Sequence, residues 1–303
     1  MDLTIVIPVL NRRGLVRRTI ESIRRSPIWP VSIIAVDNGS TDGTLEALEQ
    51  YAGECSWISV LHEPAPGAAA ARNRGLASVT TTWVYFFDSD DLFEDLPHEW
   101  KTDVDMVAFP TRQKVNDREA VRAYRPVSDP AVHILNSMLN TISMIFRTSW
   151  LRGIGGWNPS CRIWDDWELG LRALLARPRL QWITARSYHC TSVSQDSITG
   201  PSLRSGIGRG LDCMKIALDD CASAPVEMRS RCLEALKLRV LILSGKLLHE
   251  GDRDASRACR DFISGNSRLF GKTGLKGKAL EFYSSLGGRG AWKMALASLK
   301  KEK

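Results

Sequence analysis

Long apolar runs are missing from this chain. No stretch approaches the ~20 consecutive apolar residues that a bilayer-spanning helix needs, so no transmembrane helix is predicted. The opening, MDLTIVIPVLN, has an acid at position 2 and an apolar run of only about seven residues, too short for the core of a signal peptide. A cytoplasmic protein is expected. Paired cysteines are missing as well. The seven cysteines are odd in number, none falls in a Cys-x-x-Cys pair, and most lie in helix-like stretches. This speaks against a disulfide framework or a zinc site and for reduced core thiols. There is no internal repeat, no low-complexity tract, no nucleic-acid motif and no basic surface interleaved with aromatics, so nucleic acid is not expected as a partner. What remains is the composition of an ordinary globular chain. With 44% hydrophobic and 25% charged residues over 303 positions, it can bury one large core or two smaller ones.

The net charge of +7 is unevenly placed. Residues 266–303 hold nine Lys or Arg against two acids, and the first 265 residues hold 32 of each sign. The basic excess therefore belongs to the tail.

The first ninety residues alternate between short β-branched runs (LTIVIPV, VSIIAVD, WISVLH, TWVYFFD) and helical patterns (LVRRTIESIRR, GTLEALEQY, GAAAARNRGLAS). Ser40 or Thr41 is expected to cap the second helix. The alternation predicts an α/β fold, a mostly parallel Rossmann-like sheet with helices on both faces. In such sheets ligands bind outside the carboxyl ends of the strands, where Asp37 and Asp88 stand. DMVAFP and TISMIFR read as further strands with a polar, irregular stretch between them. GIGGWNPSCRIW reads as loop, DDWELGLRALLA as helix and LQWITARSYH as strand. Beyond a boundary near Gly200 the chain becomes helical. The expected division is a catalytic domain at 1–199, with a nucleotide half at 1–110 and an acceptor half at 111–199, and a helical C-terminal region at 200–303.

YFFDSDD ends an apolar run in Asp88, Asp90 and Asp91. Acids so close repel unless a cation sits among them. Oxygens at i and i+2 beyond a strand can reach one Mg²⁺ or Mn²⁺, which completes its shell with substrate phosphates. An acidic turn that caps a following helix is the alternative. A second cluster, IWDDWELGLR, sets Asp165, Asp166 and Glu168 at a helix start between Trp164 and Trp167. The helix dipole alone favours acids there. Indole faces, however, suit sugar rings, and a carboxylate beside them can accept a hydroxyl proton.

TIVIPVLNR, VDNGSTDGT, AAARNRGL, VYFFDSDD, GGWNPS, WDDWELGLR and HCTSVS stand here in an order that resembles the family-2 glycosyltransferases of GT-A fold, over about Leu3 to Ser194. The resemblance implies an inverting enzyme that takes a nucleotide-sugar donor, usually a UDP-sugar, with Mg²⁺ or Mn²⁺. It implies that Pro8 and Asn11 lie in a loop after the first strand that holds the base, and that Asp37 bonds the base. Arg72 and Asn73 lie near the nucleotide. Asp88, Ser89 and Asp90 form the Asp-x-Asp motif, Asp88 towards the ribose or metal-bound water and Asp90 on the metal. Asp166 is the general base, and His189 a metal or phosphate contact. Trp157, Trp164, Asp165 and Trp167 are acceptor-site candidates; Asp165 stands where the family usually has Glu. The same analogy implies a glycan or lipid-linked glycan acceptor and a role in cell-surface polysaccharide synthesis.

Two other functions compete. A sugar-nucleotidyltransferase would want a Gly-rich, basic loop after the first strand; PVLNRRG has two Arg but a single Gly. A catalytically idle sugar-nucleotide-binding module would not need Asp88, Asp90 and Asp166 together. The tail has two readings as well. Gly287, Gly288 and Gly290 are predicted to split it into two short helices, the second with Trp292, Ala295, Leu296 and Leu299 on one face. That face either lies on an anionic membrane, placing the protein peripherally on its inner surface, or docks on the catalytic domain and leaves the lysines in water.

Overall fold

The structure, a computed structural model, describes residues 2–29, 31–115, 118–122, 126–185, 190–192 and 206–299. The chain forms two compact units. One comprises Met1–Pro126, Leu139–Pro159 and Ala176–Gln195; the other comprises Val127–Met138, Ser160–Leu175 and Asp196–Lys303.

β-Branched runs build the first unit. β1 (Leu3–Val9), β2 (Ser32–Asp37), β3 (Ile58–His62) and β4 (Trp83–Phe86) are connected by α1 (Val16–Arg24), α2 (Thr44–Glu54) and α3 (Ala68–Ser78). With β5 (Met106–Ala108), β8 (Met144–Arg147) and β9 (Leu180–Trp182) they make a seven-stranded sheet of order β3-β2-β1-β4-β8-β5-β9. β8 alone runs antiparallel to its neighbours, so the sheet is mostly parallel, as expected. Side-chain alternation sorts the helices onto the two faces. Ile5, Ile7, Ile33, Ala35 and Tyr85 share a core with Val16, Ile20 and Ile23 of α1 and Leu48 and Tyr51 of α2. On the other face α3 approaches through Gly75, where a Cβ would lie 2.4 Å from Val6 and 3.2 Å from Val36. α5 (Thr148–Gly153) follows β8.

Three local expectations change. Pro8 lies inside β1, paired with Val36, and not in the loop that follows. Its missing N–H costs nothing there, because β4 accompanies β1 only as far as Val6. Ser40 and Thr41 do not cap α2. Their hydroxyl and amide bind Asn11, and Asp42 Oδ1 accepts from the Thr44 amide at 3.0 Å instead. The polar stretch after β5 is not irregular. β6 (Thr111–Val115) and β7 (Arg118–Arg122) form a hairpin, joined by β10 (Cys190–Ser192). A helix, α4 (Pro130–Asn136), then starts at Asp129, whose side chain caps it ahead of a proline in the first turn.

The second unit is helical: α4, α6 (Asp165–Leu175), α7 (Ile207–Ser223), α8 (Val226–His249), α9 (Arg253–Gly265), α10 (Ser267–Phe270), α11 (Leu275–Ser285) and α12 (Ala291–Ser298). α8 is its axis, with fourteen buried residues along twenty-four. Among the described residues six cysteines are free thiols, and Cys161, Cys213, Cys221, Cys232 and Cys259 are buried in this core. The tail divides at the glycines as expected. The face of α12 that carries Ala291, Ala295 and Leu299 is packed into the unit, and the Trp292 ring lies 4.9 Å from Lys246 Nζ. That face therefore packs within the helical unit, where docking on the catalytic domain was expected. Among the described residues no helix is long and apolar enough to cross a membrane.

Candidate active site

β1 lies between β2 and β4, and the chain leaves both neighbours at their carboxyl ends through acids. Asp37 closes β2 and Asp88 follows β4 after Phe87. Asp37 is almost fully buried. Its Oδ2 accepts from the Gly39 and Ser40 amides at 3.1 and 3.2 Å and faces His62 Nδ1 at 3.4 Å, while Oδ1 is buried with no hydrogen-bond partner among the described residues. One oxygen thus makes an Asx turn and the other is left over, at a cost of roughly 1–3 kcal/mol unless a donor arrives. The turn needs Gly39, at φ 83°.

Asn11 adopts a left-handed conformation (φ 51°) and spends its side-chain carbonyl on the Thr41 amide at 2.8 Å. The Arg12 amide donates to Thr44 Oγ1 and the Arg13 amide to Asp42 Oδ2. The loop after β1 is thereby fastened to the loop after β2. Asn38 fastens the next one, donating to the Glu63 and Ala65 carbonyls and accepting from Gly67. Sequence reasoning missed Asn38; its position directly after Asp37 in VDNG was the available signal.

The turn at 88–91 is held from below. The buried Thr19 hydroxyl of α1 lies 2.9 Å from the carbonyls of both Ser89 and Asp91, so Ser89 is fixed through its backbone. Asp88 receives Arg72 Nη2 at 2.9 Å, and Asp90 faces Arg12 Nη2 at 3.4 Å. Arg12 is a second partner that sequence reasoning passed over. Asn73, expected near the nucleotide, is taken up elsewhere. Its amide donates to the Trp157 carbonyl at 2.8 Å and accepts from the Trp157 amide at 2.9 Å. Gly156, at φ 64°, makes room for this pair, since a Cβ there would lie 2.6 Å from Asn73 Oδ1. Trp157 is 1% exposed and cannot form an acceptor wall. It packs edge-on against Phe86 and lies under Arg72.

The donors at this turn fit Mg²⁺ or Mn²⁺. Asp88 and Asp90 are hard oxygen ligands with 37% and 22% of their side chains open to solvent. Among the described residues no group of three or more His, Cys, Asp or Glu could hold a metal. Two carboxylates with the remaining positions left to phosphate and water is the usual magnesium pattern.

The helical unit carries the second acidic cluster. Asp165 Oδ1 accepts from the Asp166 amide at 3.1 Å, and Asp166 Oδ1 from the Trp167 amide at 2.7 Å, so both fold back on the first turn of α6 and remain half-buried. Glu168 is fully buried and gripped by Arg172 through both oxygens at 2.7 and 3.0 Å; it is structural. Trp167 is also buried, its indole N–H directed to the Ile134 carbonyl, and offers no sugar platform. Trp164 is half-buried and left-handed (φ 57°), an uncommon state for a bulky residue, with its ring against Gly210. Arg239 of α8 stands 5.4 Å from the Trp164 ring and 4.6 Å from Trp167, and donates to the Ile134 carbonyl at 2.7 Å. Burial pushes Arg239 down to about 10, opposed by the negative charge of Asp166. No motif pointed to it. His189 lies outside the described residues.

Residues 4–136 match the family model for glycosyl transferase family 2. Over 198 residues, 60% of this chain and 41% of the other, the sequence is 31% identical to the pre-mycofactocin glycosyltransferase of Mycobacterium tuberculosis. It is 36% identical over 103 residues to a putative teichuronic acid biosynthesis glycosyltransferase, TuaG, of Bacillus subtilis, covering 33% of this chain and 37% of that one. The chain spans about two fifths of the length of these relatives. In fold it is similar to TarS of S. aureus, residues 1–349, solved in complex with UDP. The TM-score is 0.67 at 18% identity, over 98% of this chain and 91% of that one. A mannosyltransferase of Pyrobaculum calidifontis, solved with GDP-Man and Mn²⁺, has a TM-score of 0.54 at 14% identity, over 98% and 86%. Residues 4–136 thus resemble glycosyl transferase family 2 in sequence, and the sheet that they help to build has the GT-A fold seen in TarS.

Proposed function

We propose that the chain moves a sugar from a UDP-sugar to a hydroxyl of a glycan or lipid-linked glycan, with inversion at the anomeric carbon, in the assembly of a cell-surface polysaccharide. One observation carries this reading: Asp37, Asp88 and Asp90 stand at the carboxyl ends of the two strands that flank β1, and Asp37 keeps a buried acceptor oxygen with no donor among the described residues. A nucleobase N–H supplies that donor. TarS, crystallised with UDP and with UDP-GlcNAc, supports uridine as the nucleoside. The mannosyltransferase with Mn²⁺ supports a divalent ion.

In this reading Asp88 and Asp90 hold Mg²⁺ or Mn²⁺, which when bound offsets the charge of the departing diphosphate. Arg72 and Arg12 keep the two acids oriented before the donor arrives. Asp166, fixed by the Trp167 amide, takes the proton of the acceptor hydroxyl at its carboxylate. The acceptor oxygen attacks the anomeric carbon from the side opposite the diphosphate. The bond to the diphosphate breaks, and UDP leaves.

Incubating the full chain with a panel of UDP-, GDP- and TDP-sugars and Mn²⁺ tests the proposal. Release of UDP from a UDP-sugar, with calorimetric binding of UDP, is the expected result. Absence of both overturns it.

A further inference from the structure

α11 is turned the wrong way round for a helix that only packs. The face it buries sets small residues beside Leu280: Gly277, Ser284 and the backbone at Glu281 come so close that a Cβ on Gly245 would lie 2.3 Å from the Glu281 carbonyl. Leu280 is buried with them and Tyr283 half-buried, but the other large apolar residues point outward. Leu275, Phe282 and Leu286 are 85%, 65% and 66% exposed. At about 100° per residue, Leu275, Ala279, Phe282 and Leu286 fall within one arc of about 60°. Lys278 lies on one side of that arc and Lys276 on the other, both exposed. Beyond the helix Arg268, Lys272, Arg289 and Lys293 are exposed too, as are Leu269 and Met294. Between positions 266 and 299 there are six basic residues and a single acid, Glu281. That acid is turned inward, accepting from the Ser244 hydroxyl at 2.6 Å and facing Arg260 at 3.4 Å.

We infer that the outer face of α11 is a docking surface for an anionic lipid membrane. The charge selects this occupant. Apolar side chains in a stripe, lysines along both edges and no outward carboxylate match an interface where hydrocarbon lies under a negative layer. A second copy of the chain would bring the same six cations against each other, an arrangement that like-charge repulsion opposes. The face of α12 that carries Ala291 and Ala295, buried in its own unit with Trp292 half-buried beside it, is not part of this surface. The inference goes beyond the sugar-transfer reading and does not depend on it.

Sedimentation of the full chain with vesicles of phosphatidylcholine, alone or mixed with phosphatidylglycerol, tests it. Binding is expected to the mixed vesicles only, and to weaken with salt. Phe282→Asp and the double change Lys276→Gln with Lys278→Gln are each expected to lower partition about tenfold or more, with an unchanged thermal melt because all three side chains are exposed. Failure of the wild-type chain to bind mixed vesicles at low salt overturns the inference. So does loss of binding in the lysine variant alone, which would mean charge without insertion. A concentration-dependent dimer in sedimentation velocity that Phe282→Asp abolishes would assign the stripe to a second copy and overturn it equally, as would undiminished binding of both variants.

Discussion

The guanidinium of Arg72 lies 4.3 Å from the centre of the Trp157 ring and donates to Asp88 at 2.9 Å. The indole, packed edge-on against Phe86 on a backbone that Asn73 holds at both its amide and its carbonyl, serves as a shelf that aims a cation at Asp88. Arg72→Lys keeps the charge but loses the planar stack and fixed fork. Calorimetry with UDP and Mn²⁺ is expected to show affinity about tenfold weaker, with the pair's ~1–2 kcal/mol as the source. Wild-type affinity in this variant would mean that the shelf orients nothing used by the donor.

Asp166→Asn is isosteric, and its amide oxygen can still accept from the Trp167 amide, so α6 should keep its first turn. Turnover is expected to fall ~10²–10⁴-fold, the usual worth of a general base, with UDP affinity unchanged. Steady-state transfer and calorimetry on the same sample check both halves. Transfer at the wild-type rate would place the base elsewhere.

Asp90→Ala removes one of the two solvent-open carboxylates at the turn and leaves Arg12 without that acid. Binding of UDP is expected to lose its Mn²⁺ dependence. Relief of repulsion within 88–91 should leave the metal-free protein as stable as wild type or slightly more so. Titrations with and without Mn²⁺, alongside a thermal melt, read this directly.

Acid should weaken the helical unit through His133. This side chain is fully buried, donating from Nε2 to the Trp167 carbonyl and accepting from the Met138 amide at Nδ1. Burial, with Arg239 adding to it, pushes it down to about 4. The unfolded chain takes up a proton below about pH 6.5. The stability His133 contributes is therefore present above that pH and is lost as pH falls towards 4, amounting to about 3 kcal/mol. Asp220 works the other way. Burial, then the charge of Glu168, raises it to about 6 against the pull of Arg172, so its contribution grows as pH falls from 6 towards 3.8. Urea unfolding at neutral and mildly acid pH should show a steeper acid loss in Asp220→Asn than in wild type. His133→Leu should flatten the loss while lowering stability at neutral pH. A flat profile in wild type and Asp220→Asn alike would exclude this assignment.

Strand and helix order in the first ninety residues was readable because each element is a strong local pattern: β-branched runs bury on both faces of a parallel sheet, and helices repeat at their own period. Asp37, Asp88 and Asp90 drew attention because each ends or follows an apolar run, and Asp166 because it opens a helix between two tryptophans. What only the tertiary structure decided is which side chains those positions leave available. Trp157, Trp167 and Asn73 have the composition of a binding site, yet packing turns the first two inward and spends the amide of the third on backbone. Arg12 and Arg239 meet their partners from distant points of the chain with no local signature, because contact is a property of the folded state. The same holds for α11. Sequence placed the basic excess in the tail and two helices within it. Which apolar face is buried followed from whether Gly277 and Ser284, or Leu275 and Phe282, could approach α8 closely, and the small residues allowed the closer approach.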